Sequence, residues 1–203
     1  MEDAESFWKG ENLLQKDPYE ESLVEVRQSL MVGAGEGIFL RQEVEADTVV
    51  AFYNGIRPTD TVTEDWEACA YRIFMRKEDA EDDEEQEVLD IPRHLQDVSQ
   101  YQATLAHKVN HSFRPNCRNG GTIVFQKVSF SFEIKFFFCP LGKFGRQLTP
   151  ECRFSDFLHP LHGRIRSVVT LEPLGAGAEL LVHYNYDLED CPEWYSDLWQ
   201  NLK

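Results

Sequence analysis

Two amides, an imidazole, a hydroxyl and a thiol fall within eight residues near mid-chain: Asn110, His111, Ser112, Asn116 and Cys117, in the run Asn110-His111-Ser112-Phe113-Arg114-Pro115-Asn116-Cys117. The proline argues against regular helix or strand here. Polar groups this dense in irregular backbone need hydrogen-bonding partners, either in a ligand site or in a plain surface turn. Two distant runs bear on that choice. Gly33-Ala34-Gly35-Glu36-Gly37-Ile38-Phe39 holds three glycines in five residues, which permits close backbone approach to a ligand. Glu179-Leu180-Leu181-Val182-His183-Tyr184-Asn185-Tyr186-Asp187 is an apolar run ending in Tyr-x-Tyr. Ser-His-Asp arrays, P-loops and zinc-type cysteine clusters have no counterpart in the sequence.

The elements that must position these residues read as short strands and turns. Ser22-Leu23-Val24-Glu25-Val26-Arg27 largely alternates polar and apolar, which predicts a strand. Residues 38–40, 48–53, 87–91, 165–171 and 179–186 also read as strands, and Asn54-Gly55 is a strong turn dipeptide. Residues 100–109 predict a short helix or turn, with His107 as a core histidine. The spacing of Trp194, Tyr195, Leu198, Trp199 and Leu202 is helical. The result is a mostly β fold with short helices.

At 203 residues, 42% apolar and 12% aromatic, the chain can form one packed domain. Its net charge of −16 opposes nonspecific binding to nucleic acid and suits a basic substrate, although solubility alone accounts for it equally well. Eight acids crowd residues 78–87, which predicts a solvated loop, with a landing strip for a basic substrate as the alternative. The five cysteines form no disulfide framework, the acidic start is no secretory signal, and no apolar run is long enough for a membrane span, so an intracellular compartment is expected.

Together with Asp17-Pro18-Tyr19-Glu20, Phe52-Tyr53-Asn54-Gly55 and Pro192-Glu193-Trp194-Tyr195, the three runs above resemble the SET-domain protein-lysine methyltransferases over most of the chain. The resemblance is greatest to those that act on histone H3 lysine four and carry MORN repeats; no such repeats precede residue 17 here, as in a fragment, a short isoform or a branch lacking them. It implies a SET-domain fold of small sheets around a knot-like cofactor site, with a leader at 1–16, the domain at 17–187 and a short closing segment at 188–203. It implies S-adenosylmethionine as cofactor, bound by Ala34, Gly35, Glu36, Asn110 and His111, with Trp194 as a lid on the adenine. Tyr184 matches the catalytic tyrosine, and Tyr53 and Tyr186 match the tyrosines lining the lysine channel. The implied partner is a lysine-containing protein, histone H3 or a non-histone protein, met by a monomer in the nucleus or also the cytoplasm, without direct contact to nucleic acid or membrane. Two positions depart from the pattern. Leu198 stands where the family has a cofactor-contacting glutamate, and Arg166 stands where it has a substrate-side lysine.

Residues 118–152 do not fit the pattern. They carry seven of the chain's 14 phenylalanines and a net charge of +3, which leaves −19 on the remainder. Removing these 35 residues restores the family spacing and brings Phe154 to a position where tyrosine limits transfer to one methyl group. An unspliced intron or gene-model error and a genuine loop are both open origins. An active methyltransferase and an impaired or mis-spliced module that only binds protein are the competing functional expectations.

Overall fold

The computed structural model describes residues 13–58, 70–76, 86–119, 156–189 and 191–201. Small sheets dominate these residues, as expected, joined by two short helices and single helical turns.

The first element differs from the sequence expectation. Helix α1 (Pro18–Leu23) takes up Ser22 and Leu23, and strand β1 begins only at Val24 (Val24–Gln28). The cause is local. Asp17 is an N-cap whose carboxylate accepts from the backbone N–H groups of Tyr19 and Glu20 at 2.9 and 3.0 Å, and Pro18 supplies a pre-set first helical residue. Strand β1 pairs antiparallel with β2 (Glu36–Leu40) across the glycine turn.

The largest sheet is built on β9 (Gly163–Thr170). One edge of β9 carries β3 (Val49–Tyr53), and the other carries β7 (Cys117–Asn119) and then β8 (Asp156–His159). All five residues of β3 are buried. Its outer edge is satisfied by side chains. The Tyr19 hydroxyl donates to the Val49 carbonyl at 2.7 Å, Glu20 accepts from Phe52 N–H at 2.6 Å, and Thr104 Oγ1 accepts from Asn54 N–H at 3.1 Å. Asp17-Pro18-Tyr19-Glu20 therefore works as an edge cover.

Asn54-Gly55 is not a hairpin turn. Both residues are buried where the chain pairs with Asp90, and a Cβ on Gly55 would lie 2.6 Å from the Asp90 carbonyl oxygen. Close approach, not positive φ, is the demand on that glycine.

A hairpin-like pair, β4 (Arg72–Arg76) and β5 (Gln86–Asp90), lies beside this segment. Strand β4 had no clear sequence signal. Glu87, the last acid of the charged block, is held by Arg57 at 2.6 Å and Arg164 at 3.5 Å, so it is not a solvated loop residue. The rest of that block, up to residue 85, lies outside the described residues.

The late strand is shorter than its apolar run suggested. β10 (Leu181–Val182) pairs in parallel with β6 (Asn110–His111), and beyond it the chain leaves the ladder. Leu13 packs on the core and its carbonyl accepts from Gln102 and Ala103, so the described end of the expected leader is part of the fold. Among the described residues, no helix is long and apolar enough to cross a membrane.

Candidate functional site

Strands β6 and β10 bring the middle and late motifs together, and the glycine turn closes on them. The Asn110 amide donates to the Glu36 carbonyl at 3.0 Å. The turn holds Gly33 and Gly35 at φ 83° and 69°, left-handed conformations that favour glycine, and a Cβ on either would meet nothing within 4 Å. The turn is thus an exposed cradle beside Asn110, its Gly35 carbonyl taken by Ser29 N–H and its Ala34 N–H by the Met31 carbonyl. Lys108 Nζ pairs with the Glu36 carboxylate at 2.8 Å and braces the turn from outside.

His111 is buried, and its Nδ1 accepts from the Tyr184 backbone N–H at 3.1 Å. That bond requires an unprotonated Nδ1 and puts the ring proton on Nε2. Burial first, and then the neighbouring His183, push its pKa down to about 4, so the ring is neutral at physiological pH. Its Nε2 is buried and makes no hydrogen bond within the protein.

Around His111 stands an aromatic cluster. Phe113 meets it edge-on at 4.5 Å, Tyr195 lies at 4.7 Å, Tyr184 at 5.2 Å and Trp194 at 6.0 Å. Trp194 and Tyr195 come from α2 (Glu193–Gln200). Tyr195 is 1% exposed and anchors the helix, and Trp199, one turn on, reaches Phe113 at 5.1 Å. Trp194 is 44% exposed at the rim and neighbours His111 at 6.0 Å, Tyr184 at 6.1 Å and Tyr186 at 6.3 Å.

Behind this face lie the tyrosines. Tyr184 and Tyr186 meet edge-on at 5.7 Å, and Tyr184 donates its hydroxyl to the Val109 carbonyl at 2.8 Å. Tyr53 is buried in the same core cluster and donates to the Tyr71 carbonyl. Burial is the first cause holding all three phenols well above the ordinary range, with Tyr186 at about 12. They are neutral hydroxyls that can orient a nitrogen but do not serve as bases at neutral pH.

Arg166 pairs in register with Tyr53 and donates to the Phe74 carbonyl on β4, buried beside the tyrosines. Phe154 lies outside the described residues. Leu198 is 38% exposed on α2, on the solvent side of the helix.

The sequence reading missed Glu179 as a site residue. It is buried, and it accepts from Ser29 Oγ at 2.6 Å, from Leu30 N–H at 2.9 Å and from the Asn110 amide at 3.2 Å. Its place at the head of the late motif was the one available signal. Asn116 was noted only for its amide. It ties the two motifs by donating to the Glu179 carbonyl and accepting from Leu181 N–H, both at 2.8 Å.

No family model matches the chain. It is 32% identical over 192 residues to a curated protein of Halocynthia roretzi described as Histone-lysine N-methyltransferase SETD7, a match covering 90% of this chain and 39% of that one. Among solved structures, ctPRC2 in an autoinhibited conformation bound to S-adenosylmethionine aligns with TM-score 0.46 and 14% identity over 89% of this chain and 17% of that one. KRYPTONITE in complex with mCHH DNA, H3(1-15) peptide and SAH aligns with TM-score 0.42 and 13% identity over 84% of this chain and 25% of that one. The match to the histone-lysine N-methyltransferase extends over most of this chain, and the chain is a relative of the SET-domain protein-lysine methyltransferases.

Proposed function

We propose that this protein transfers a methyl group from S-adenosylmethionine to the side-chain amine of a protein lysine. The observation that carries the reading is the convergence of three distant motifs on one face, marked by the Asn110 amide on the Glu36 carbonyl. The residues suit the cofactor. The exposed cradle at 33–36 leaves room for an amino-acid moiety, the buried His111 Nε2–H has no acceptor within the protein, and the half-exposed indole of Trp194 can stack on a purine. When bound, the cofactor would supply an electrophilic methyl carbon on a sulfonium, to which the amine's lone pair would bond as the C–S pair returned to sulfur, the surplus proton leaving with solvent.

The chain's own groups position and desolvate. Neutral hydroxyls at Tyr184, Tyr53 and Tyr186 orient the amine without competing for its lone pair, and their rings favour a cationic product nitrogen. The net charge of −16 favours a basic segment such as the histone H3 tail around lysine four, with non-histone lysines equally open; a histone substrate would place the action in the nucleus.

Calorimetry with S-adenosylmethionine and mass spectrometry of a lysine-bearing H3 tail peptide test the reading. Expected are saturable binding, lost in His111→Ala, and a mass gain of methyl units on lysine. Absence of binding to the unmutated chain overturns it. Binding without transfer selects a second reading, a SET-related binding module, which the solvent-facing Leu198 in place of a polar contact favours.

A further inference from the structure

We propose that Glu179 is a positioning residue that clamps the cofactor turn and the Asn110 side chain into one rigid unit. The inference rests on the methyltransferase reading for its ligand, but not for its geometry. The carboxylate lies at the crossing of three segments. Oε1 accepts from Ser29 Oγ, at the entrance of the turn, and from the Asn110 amide on β6; Oε2 accepts from Leu30 N–H. Ser29 extends the clamp, since its hydroxyl oxygen also accepts from Met31 N–H at 3.0 Å and its own N–H donates to the Gly35 carbonyl at 2.8 Å. The Glu179 backbone is fixed by the bridge to Phe39 and by Asn116. All three donors to the carboxylate are neutral groups, so hydrogen bonds hold it in place.

Gly37 is an independent mark of the same device. A Cβ there would run into Glu179 Oε1 and come within 3.1 Å of the Asn110 amide nitrogen. Gly37 follows directly on the cradle, and its missing side chain makes room for the carboxylate. Asn110 faces Glu179 on one side and the Glu36 carbonyl on the other. Removing the carboxylate frees the Asn110 amide and the turn together, and the backbone groups that would meet the cofactor lose their fixed spacing.

The test uses the full chain with Glu179→Ala, Glu179→Gln and Gly37→Ala. Amide hydrogen exchange needs no cofactor. Leu30 and Met31 are expected to exchange faster in Glu179→Ala, while Ile73 and Leu89 on β4 and β5 keep their protection. Equal rates at Leu30, or a uniform rise across the core, overturns the clamp. With S-adenosylmethionine, Glu179→Ala is expected to weaken binding about 10-fold or more. The KM for the cofactor rises while kcat and the KM for the peptide stay within about twofold of the unmutated chain, because positioning of the turn precedes chemistry. Glu179→Gln keeps an acceptor for Ser29 and Asn110 but none for Leu30, and falls between; Gly37→Ala reproduces the loss with the carboxylate still present. Unchanged affinity in all three variants overturns the inference. An unmutated chain that binds no cofactor overturns the functional reading alone, and the exchange data still decide the clamp.

Discussion

Glu20 is a carboxyl with no solvent around it. Burial pushes its pKa well above the carboxylate range, against the opposing pull of the Phe52 and Leu105 N–H groups that donate to Oε1. What the fold needs from this side chain is an acceptor oxygen between β3 and the segment before Asn110. Glu20→Gln is accordingly expected to change stability by less than about 1 kcal/mol, whereas Glu20→Ala leaves two buried N–H groups unmet and costs about 2–4 kcal/mol. Urea unfolding of the two variants decides it, and equal losses would show that charge is what matters. Under the proposed methyl transfer, Tyr184 is the residue to test, and Tyr184→Phe removes the hydroxyl that donates to Val109. It is expected to lower kcat by about 10²-fold with cofactor affinity unchanged, because only alignment is lost. Single-turnover kinetics beside calorimetry separates the two effects.

At the scale of elements, β7 and β8 behave as one interrupted strand. Asn119 pairs with Val168 and Asp156 pairs with Arg166, so a single residue, Ser167, separates their partners on β9. Between 119 and 156 the chain has 36 residues where an unbroken strand would need one. The surplus is 35 residues, the length of the segment 118–152 singled out from composition. The boundary shifts slightly, because Arg118 and Asn119 are in the ladder; the remainder lies outside the described residues. Deleting 118–152 puts Arg153, Phe154 and Ser155 opposite Val169, Val168 and Ser167 with the pairing beyond them unchanged. The deletion variant is expected to fold with an unfolding midpoint equal to or above that of the full chain, and with higher yield as seven phenylalanines are removed. A variant that does not fold would show the segment to be integral. The glycine turn was legible because its cause is local, whereas the helix capped by Asp17 was missed and Ser22-Leu23 were read as strand. Strand β4 was not legible either, since it is defined by pairing with β5 across residues that carry no alternation.

Across the whole molecule, buried histidines set the response to acid. Burial first, with neighbouring charge, lowers His107 to about 3 and His111 and His162 to about 4. Each is neutral in the fold and takes a proton more readily when unfolded, near 6.5. Their stabilisation is therefore complete above about pH 6.5 and is lost as pH falls toward 4 and then 3. Asp17 adds to the loss at the acid end. Burial alone would raise it, but the His159 hydrogen bond and the cap N–H groups bring it below 3.8. Glu20 has the opposite sign, since its raised pKa favours the folded state at low pH. Calorimetric scans from pH 7 to 4 are expected to show a falling Tm, each kcal/mol lost lowering it by about 2–4 °C in a chain of this size. His107→Phe flattens the acid limb, since neither ring nitrogen of His107 makes a hydrogen bond; a limb as steep as before would remove His107 from the account.

The mostly β character and the glycine turn were legible in the sequence alone, because β-forming runs and glycines act through neighbours in the chain. Only the tertiary structure decided the rest. It shortened the late strand to Leu181–Val182, since its one partner in the ladder is a two-residue strand. It made Asn54-Gly55 a close contact with Asp90, because Ile56 pairs there. It placed Glu179 at the centre of the site, because its three donors arrive from Ser29, Leu30 and Asn110, the nearest of them 69 positions away along the chain. Partners that far apart leave no periodicity to read, and only the folded backbone brings them within hydrogen-bonding reach.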